Sequence, residues 1–477
     1  MRKPARFLTV LLILFLIASC ADAGTTSPSA SVSTSNATTE SEAPAEEEAE
    51  DPDAVRFWFA ASENGAQVMQ QIVEKYNASQ GDFRVRMTLY EDENALYEAL
   101  QAAVAMNRPP DIAVLGRDRS FSFYQKGQTM DLSALLQGRS GFSAEAFFPV
   151  FLEQGTDGEQ TVFALPVYGT ANVLYYNREA YALVKLKPED ICCWQDVAEA
   201  AYTVQRRLVC REGFELPWGY EALLDAALSN GGSIYSEDGR SVTVNTPEWV
   251  EVWEQFRVWI HEDRRMRIHS GGLDDEWLEY TKADLLDMTC GGYAGSSADY
   301  VDLDPEVAGM LPQPAWDEEK DVSYGTRVSL ANIFAYSDAA HRAGAVDFLR
   351  YLTGTQAQVK WATGTGFIAA NREITKEKAW QEYLRENPDA KILMRQGLQG
   401  KPYPPDPTGG EIKDILSRAA DRLLIENIPA QRVLDEAQQE AQRALEAVLD
   451  PLPEEETEEG AEEAGEASSE ETGEETP

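Results

Sequence analysis

The chain has 477 residues and a formal net charge of −41. Setting aside nine acids in residues 21–53, twelve in residues 451–477 and three bases near the N-terminus leaves −23 for residues 54–450. So acidic a folded part excludes a nucleic-acid surface, which depends on clustered Lys and Arg, and about 400 residues are too many for one core and suit two lobes.

In chain order, Arg2, Lys3 and Arg6 precede an apolar-rich run from Phe7 to Ile17, and small residues lead up to Cys20. This is the layout of a cleavable export signal, too short for the roughly 20 apolar residues of a membrane span. Leu16-Ile17-Ala18-Ser19-Cys20 resembles the lipobox of bacterial lipoprotein signals. The resemblance implies cleavage before Cys20, which becomes the lipidated N-terminus, and places the protein outside the cytoplasm with lipid as its membrane attachment. Residues 21–53 are Ser, Thr, Ala and acid with no aromatic or basic residue, so they bury too little to fold and read as a disordered tether. Residues 451–477 read as a disordered acidic tail on the same grounds.

Between them two kinds of element alternate. Val55 to Phe59 is a strand candidate, and Val68, Ile72 and Tyr76 fall at helical spacing. Phe83, Val85, Met87 and Leu89 alternate as in a half-buried strand, a helix is predicted from Asn94 to Met106, and Pro109-Pro110 precedes the apolar run Ile112 to Leu115. The β-α-β-α-β order predicts an α/β lobe on a largely parallel sheet. Ligands then gather at the carboxyl ends of its strands, in the loops Ala61 to Asn64, Tyr90 to Asp92 and Gly116 to Arg119. Trp249, Trp253 and Phe256 share helical spacing and are assigned to the core.

Cys192, Cys193, Cys210 and Cys290 follow Cys20, with neither a Cys-x-x-Cys pair nor clustering of His261, His269 and His341, so no metal site is predicted. In an exported protein Cys192 or Cys193 could bridge to Cys210; free buried thiols are the alternative. No Gly-x-Ser-x-Gly elbow and no phosphate-cradling Gly loop with Lys is present, and neither an enzyme activity nor a cofactor is predicted.

Phe163 to Arg178, and then Ser329 to Ala335, Ala345 to Tyr351, Lys360-Trp361-Ala362 and Thr365 to Ile368, resemble in order and spacing the family 1 extracellular solute-binding proteins. The resemblance covers about residues 55 to 450. It implies a two-lobed α/β fold of the periplasmic binding protein type II class, with a hinge, an interlobe cleft and delivery of a captured solute to the permease of an ABC importer. Lobe 1 is expected at 54–166 and 328–375, lobe 2 at 167–327 and 376–450, in a monomer. Trp361 belongs to a packed helix of the family.

The Asp118-Arg119 pair resembles the Asp-Arg with which maltose-binding protein contacts sugar hydroxyls, and a carboxylate beside a guanidinium suits polyols. Pyranose faces stack on aromatic rings. Trp218 and Tyr220 resemble the family's second-lobe aromatic loop, Tyr168 sits at the crossing between lobes, and Tyr293 lies in a Gly/Ser/aromatic loop. Glu63, in the first strand–helix loop, and Arg327, near the second crossing, complete the expected ligand-binding set, and the ligand implied is a carbohydrate. The glycerol phosphate branch is the alternative: it carries an arginine after the position of Lys401, where this chain reads Pro402-Tyr403-Pro404-Pro405, although Arg327 could neutralise an anion. A binding module that feeds a sensor shares the fold.

Overall fold

A computed structural model describes residues 52–137, 141–157, 161–269, 276–317 and 324–450. Cys20, the tether up to Asp51 and the acidic tail lie outside the described residues. The strands are β1 Val55–Ala60, β2 Val85–Tyr90, β3 Ile112–Gly116, β4 Leu165–Thr170, β5 Asn172–Asn177, β6 Phe214–Leu216, β7 Met266–Ile268, β8 Gly292–Ser296, β9 Ala308–Pro312, β10 Arg327–Ile333 and β11 Ile368–Ala369. They form two sheets, in the orders β11-β4-β10-β3-β1-β2 and β7-β6-β8-β5-β9.

The opening β-α-β-α-β unit follows its hydrophobic spacing. The helix Glu63–Ser79 turns Val68, Met69, Ile72 and Tyr76 onto the sheet. The next helix, Glu93–Ala105, starts where Asp92 accepts the Ala95 N–H at 2.8 Å, satisfying one of the free donors of the first turn. β2, β1 and β3 are parallel, as the pattern predicts. The other half of the sheet is not: β10 runs antiparallel to both β3 and β4, and β11 antiparallel to β4. A chain that leaves the lobe through β4 and returns through the neighbouring β10 must run in opposite directions, so the sheet is mixed.

The lobes meet where the chain crosses between the sheets. β4 and β5 belong to different sheets and are separated by Ala171 alone, so the first crossing lies five residues beyond the expected one at 166/167. The chain returns at Arg327, the first residue of β10, which pairs with Thr170. The third passage comes after Gln399 and not at 375/376. The helix Lys378–Glu386 buries Trp380 against Val359, Ala362, Ala369 and Ile374 of the first lobe, and the helix Ala390–Gln399 lies along the seam, with Leu393 in the cluster that reaches from Phe148 to Met310 and Asp389 paired with Arg178 and the Met310 N–H of the second lobe. Only Glu411–Leu424 and Ala430–Leu449 of these last helices pack into the second core. Trp249, Trp253 and Phe256 are fully buried there and Trp361 in the first core. Truncating one of these tryptophans to alanine costs about 3–5 kcal/mol.

All four cysteines after Cys20 are free, the second of the two alternatives that the sequence leaves open. Cys193 caps the helix Trp194–Arg206, its thiol bonded to Asp196, whereas the Cys210 N–H bonds Val204 O at the far end. A helix of 13 residues is about 20 Å long, well beyond disulfide reach. Burial pushes the Cys193 and Cys210 thiols up to about 11 and that of Cys290 well above its usual range, so none is a ready nucleophile. Of these four, Cys192 alone is exposed. A thiol-reactive dye should therefore label one of the four in the native protein and all four after unfolding; a native count of two or more would overturn this placement.

Candidate functional site

Two cavities lie side by side in the cleft, and Arg327 lines both. Its position is set by the seam. Arg327 pairs with Thr170 across β4 and β10, Thr326 N–H donates to Lys401 O at 3.2 Å, and Gln396 donates to Asn172 O at 3.1 Å. Gly325 has φ +84°, and a Cβ there would fall 2.2 Å from Asn172 Nδ2, so glycine is required just before the arginine. The guanidinium lies 5.4 Å from the centre of the Tyr403 ring and 3.6 Å from Glu221. Tyr403 also accepts from Asn172 Nδ2 at 2.9 Å.

The first cavity, about 240 Å³, is walled by Trp218 and Trp277, with Asn172, Glu221, Asp299 and Gln313 facing the same space. Trp218 is held by its Nε1–H, which donates to Asp421 at 3.1 Å. Asp299 is fixed by the Ser296 N–H at 3.2 Å and the Tyr293 hydroxyl at 3.3 Å. Burial raises its carboxyl to about 6, against the pull of Lys282 and those two donors. This wall thus combines flat apolar faces with both donors and acceptors.

The second cavity, about 230 Å³, opens at the carboxyl end of β3. It gathers four cations, Arg117, Arg119, Arg327 and Lys413, against two carboxylates, Glu93 and Asp118. Lys413 reaches across from the second lobe to Asp118 at 2.5 Å, while Arg119 turns to Asn94 at 2.5 Å and lies 4.8 Å from the centre of the Tyr97 ring. Each cavity falls below the usual size of a ligand pocket, about 300–1,000 Å³, and the two together fall within it.

Of the residues expected at the site, Asp118, Arg119, Trp218 and Arg327 line these cavities. The other four do not. Tyr293 lies one layer behind Asp299, stacked on Tyr175 at 5.0 Å. Tyr168 is buried among Trp361 at 4.7 Å and Phe367 at 4.9 Å. Tyr220 packs on the second core beside Tyr235 and Leu224. Glu63 is exposed at the start of its helix and accepts from Gln67. Trp277, Asp299 and Lys413 were missed. Lys413, between Glu411 and Asp414, reads in sequence as a solvated helix face, and no local signal sets it apart.

This is the architecture of a two-lobed solute receptor, with a cleft whose walls come from both sheets. The sequence pattern of the bacterial extracellular solute-binding protein family matches residues 71–387, and the chain belongs to that family. Among its relatives, the sn-glycerol-3-phosphate-binding periplasmic protein UgpB of Yersinia pestis is 22% identical over 366 residues, covering 73% of this chain and 81% of that protein. UgpB of Escherichia coli is 22% identical over 368 residues, covering 73% and 82%. In structure, UgpB from Mycobacterium tuberculosis in complex with glycerophosphocholine superposes with TM-score 0.70 at 16% identity, over 83% of this chain and 99% of that one. The sugar-binding protein MalE from Xanthomonas citri gives TM-score 0.72 at 15% identity, over 82% and 97%. The chain is therefore an extracellular solute-binding protein and not an enzyme.

Behind the first cavity, Asp225 is fully buried and accepts the Tyr324 N–H at 2.5 Å. Burial pushes its carboxyl up to about 7, opposed by Tyr324, Gln313, Arg327 and Asn172. In the unfolded chain it titrates near 3.9. Between about pH 4 and 7 the native state thus holds a proton that the unfolded state releases, and this contribution to stability declines as pH rises through that window. Asp225→Asn, which keeps an acceptor for Tyr324, should gain in Tm relative to the parent from pH 4 to 7. A difference that does not change with pH would refute the assignment.

Proposed function

We propose that the protein is a lipid-anchored extracytoplasmic receptor that captures a carbohydrate between its lobes and delivers it to the permease of an ABC importer. The observation that carries this reading is the first cavity: Trp218 and Trp277 offer flat faces, while Asn172, Gln313, Glu221 and Asp299 offer donors and acceptors at the edges. A pyranose ring has the matching division, with apolar C–H faces and a hydroxylated rim. Asp118 and Arg119 supply polar contacts from the first lobe.

A second reading, a glycerol phosphate or related polyol phosphate, draws on a different observation. The second cavity holds four cations against two acids in a folded part with net charge −23. The sequence relatives named for sn-glycerol-3-phosphate point the same way. Lys413 and Arg327 there offer the cationic side chains that the segment after Lys401 lacks in sequence.

Calorimetry with maltooligosaccharides and with glycerol 3-phosphate separates the two. For a sugar, Trp218→Ala should weaken binding about tenfold or more and Lys413→Ala much less; for a phosphate, Lys413→Ala and Arg327→Ala should dominate. Binding of neither class, or binding that none of the three substitutions alters, would overturn the placement of the site.

The anchor is tested separately. Cys20→Ser should abolish acylation and leave the protein either unprocessed or released, as detergent partitioning and the size of the product would show. Unchanged acylation with normal processing would exclude lipid attachment at Cys20.

A further inference from the structure

On the second lobe, at the edge of its sheet, Glu215 of β6, His269 just after β7 and Asp284 of the helix Glu276–Leu286 bring their ligand atoms within 4.8 Å of one another. Glu215 is fully buried, and its Oε2 has no hydrogen-bond partner. Leaving a buried carboxylate oxygen unpaired costs free energy, so an atom in that position marks where a ligand fits. His269 Nε2 stands 3.4 Å from this oxygen and 2.8 Å from Asp284 Oδ2. We infer that Glu215, His269 and Asp284 bind a divalent transition ion of the zinc type.

The donor set suits such an ion. One imidazole nitrogen and two carboxylate oxygens are ligands for Zn²⁺ and its neighbours. At bond lengths of about 2.0–2.2 Å, tetrahedral ligand atoms lie about 3.4 Å apart; the His269–Glu215 edge has that length, the His269–Asp284 edge must open from 2.8 Å, and all three ligand atoms lie within 4.8 Å of one another. Charge also fits. Glu212, Glu215 and Asp284 all pair with Arg267, three carboxyl groups around one guanidinium, and a dication offsets the negative charge gathered there. Arg211, which also pairs with Glu212, is largely exposed and screened by solvent.

Arg267 donates to Glu215 Oε1 at 2.5 Å and so leaves Oε2 to the ion. It must yield both Asp284, to which it also donates, and His269 Nε2, which lies 3.1 Å from it, while it keeps Glu215 and Glu212 as outer partners, the role in which hydrogen bonds orient metal ligands. The His269, Asp284 and Arg267 side chains are each about one-fifth exposed, which leaves an entry path. The ion would tie β6, three residues before Trp218, to the helix that carries Trp277 seven residues before Asp284. It would thus brace both aromatic walls of the first cavity, whichever solute fills it.

The test is calorimetry and thermal unfolding of tag-free protein, with ZnCl₂ or with EDTA. One Zn²⁺ per chain and a saturable rise in Tm are expected. Glu215→Gln and His269→Ala should each weaken binding about tenfold or more, while His341→Ala should not. Co²⁺ in place of Zn²⁺ should give a d–d absorption that His269→Ala removes. No Zn²⁺-dependent shift in the parent, or a shift retained by His269→Ala, overturns the site. If Glu215→Gln does not fold, the partly exposed His269→Ala still decides.

Discussion

The structure depends on how three passages of one chain are tied together between the sheets. Ala171 donates its N–H to Ser297 Oγ at 3.1 Å and accepts the Ser297 N–H at 2.8 Å, while Thr326 bonds Lys401 and Gln396 bonds Asn172. These are mainly bonds of the backbone, which has no alternative partner once buried. They fix the seam and leave the cleft side chains to differ in chemistry on either side. Because Arg327 begins the returning strand, it stands at the boundary of both cavities, and the topology alone puts a cation at the centre of the cleft.

That cation explains the surrounding polar groups. Glu221 lies within ion-pair distance, Tyr403 presents its ring face, and Asp225, though buried, adds a carboxyl below the cleft. The Arg327 side chain is nearly half exposed, so water solvates much of its charge and these partners orient the guanidinium without covering it. It remains open to a ligand that brings oxygen atoms of its own. The aromatic walls stay separate from this network, so apolar and polar recognition occupy adjacent spaces.

Much of the fold was legible because burial imposes a period. The opening unit lies within a residue or two of its expected strands β1 and β3, where the apolar runs are short and bounded. Ile368–Ala369 is too short to carry a period of its own, and β4 is buried on both faces, so alternation could not tell whether Tyr168 faces the cleft or the core. Trp218 and Arg327 could be found because proximity to a crossing or a loop is a chain-local property. Lys413 and Trp277 could not, since what distinguishes them is the element across the gap. Tyr220 shows the same limit: two residues from Trp218, it turns onto the second core as the next helix begins. Glu215, His269 and Asp284 are 54 and 15 residues apart in sequence, with no motif linking them; register places Glu215 beside Arg267 and the helix brings Asp284 over both.

Direct adhesion between the two lobes across the cleft is weak, and this bears on how such a receptor works. The ion pair of Asp118 with Lys413 joins the lobes, yet both side chains are about one-third exposed, and pairs of that kind contribute about 0–1 kcal/mol. Arg327 leans on Tyr403 and Glu221 from within the seam and adds little across the gap. The buried surface around Trp194, Trp249 and Trp253 lies within the second lobe, while the cluster around Phe57, Phe148 and Trp361 continues past the seam to Val173, Tyr175, Tyr293 and Met310 of the second sheet. Opening of the cleft therefore leaves the second core intact and pivots on the apolar seam. A solute that touches both walls shifts the balance towards closure by the difference between its contacts in the closed and open forms, and a weak intrinsic latch lets that difference decide the state.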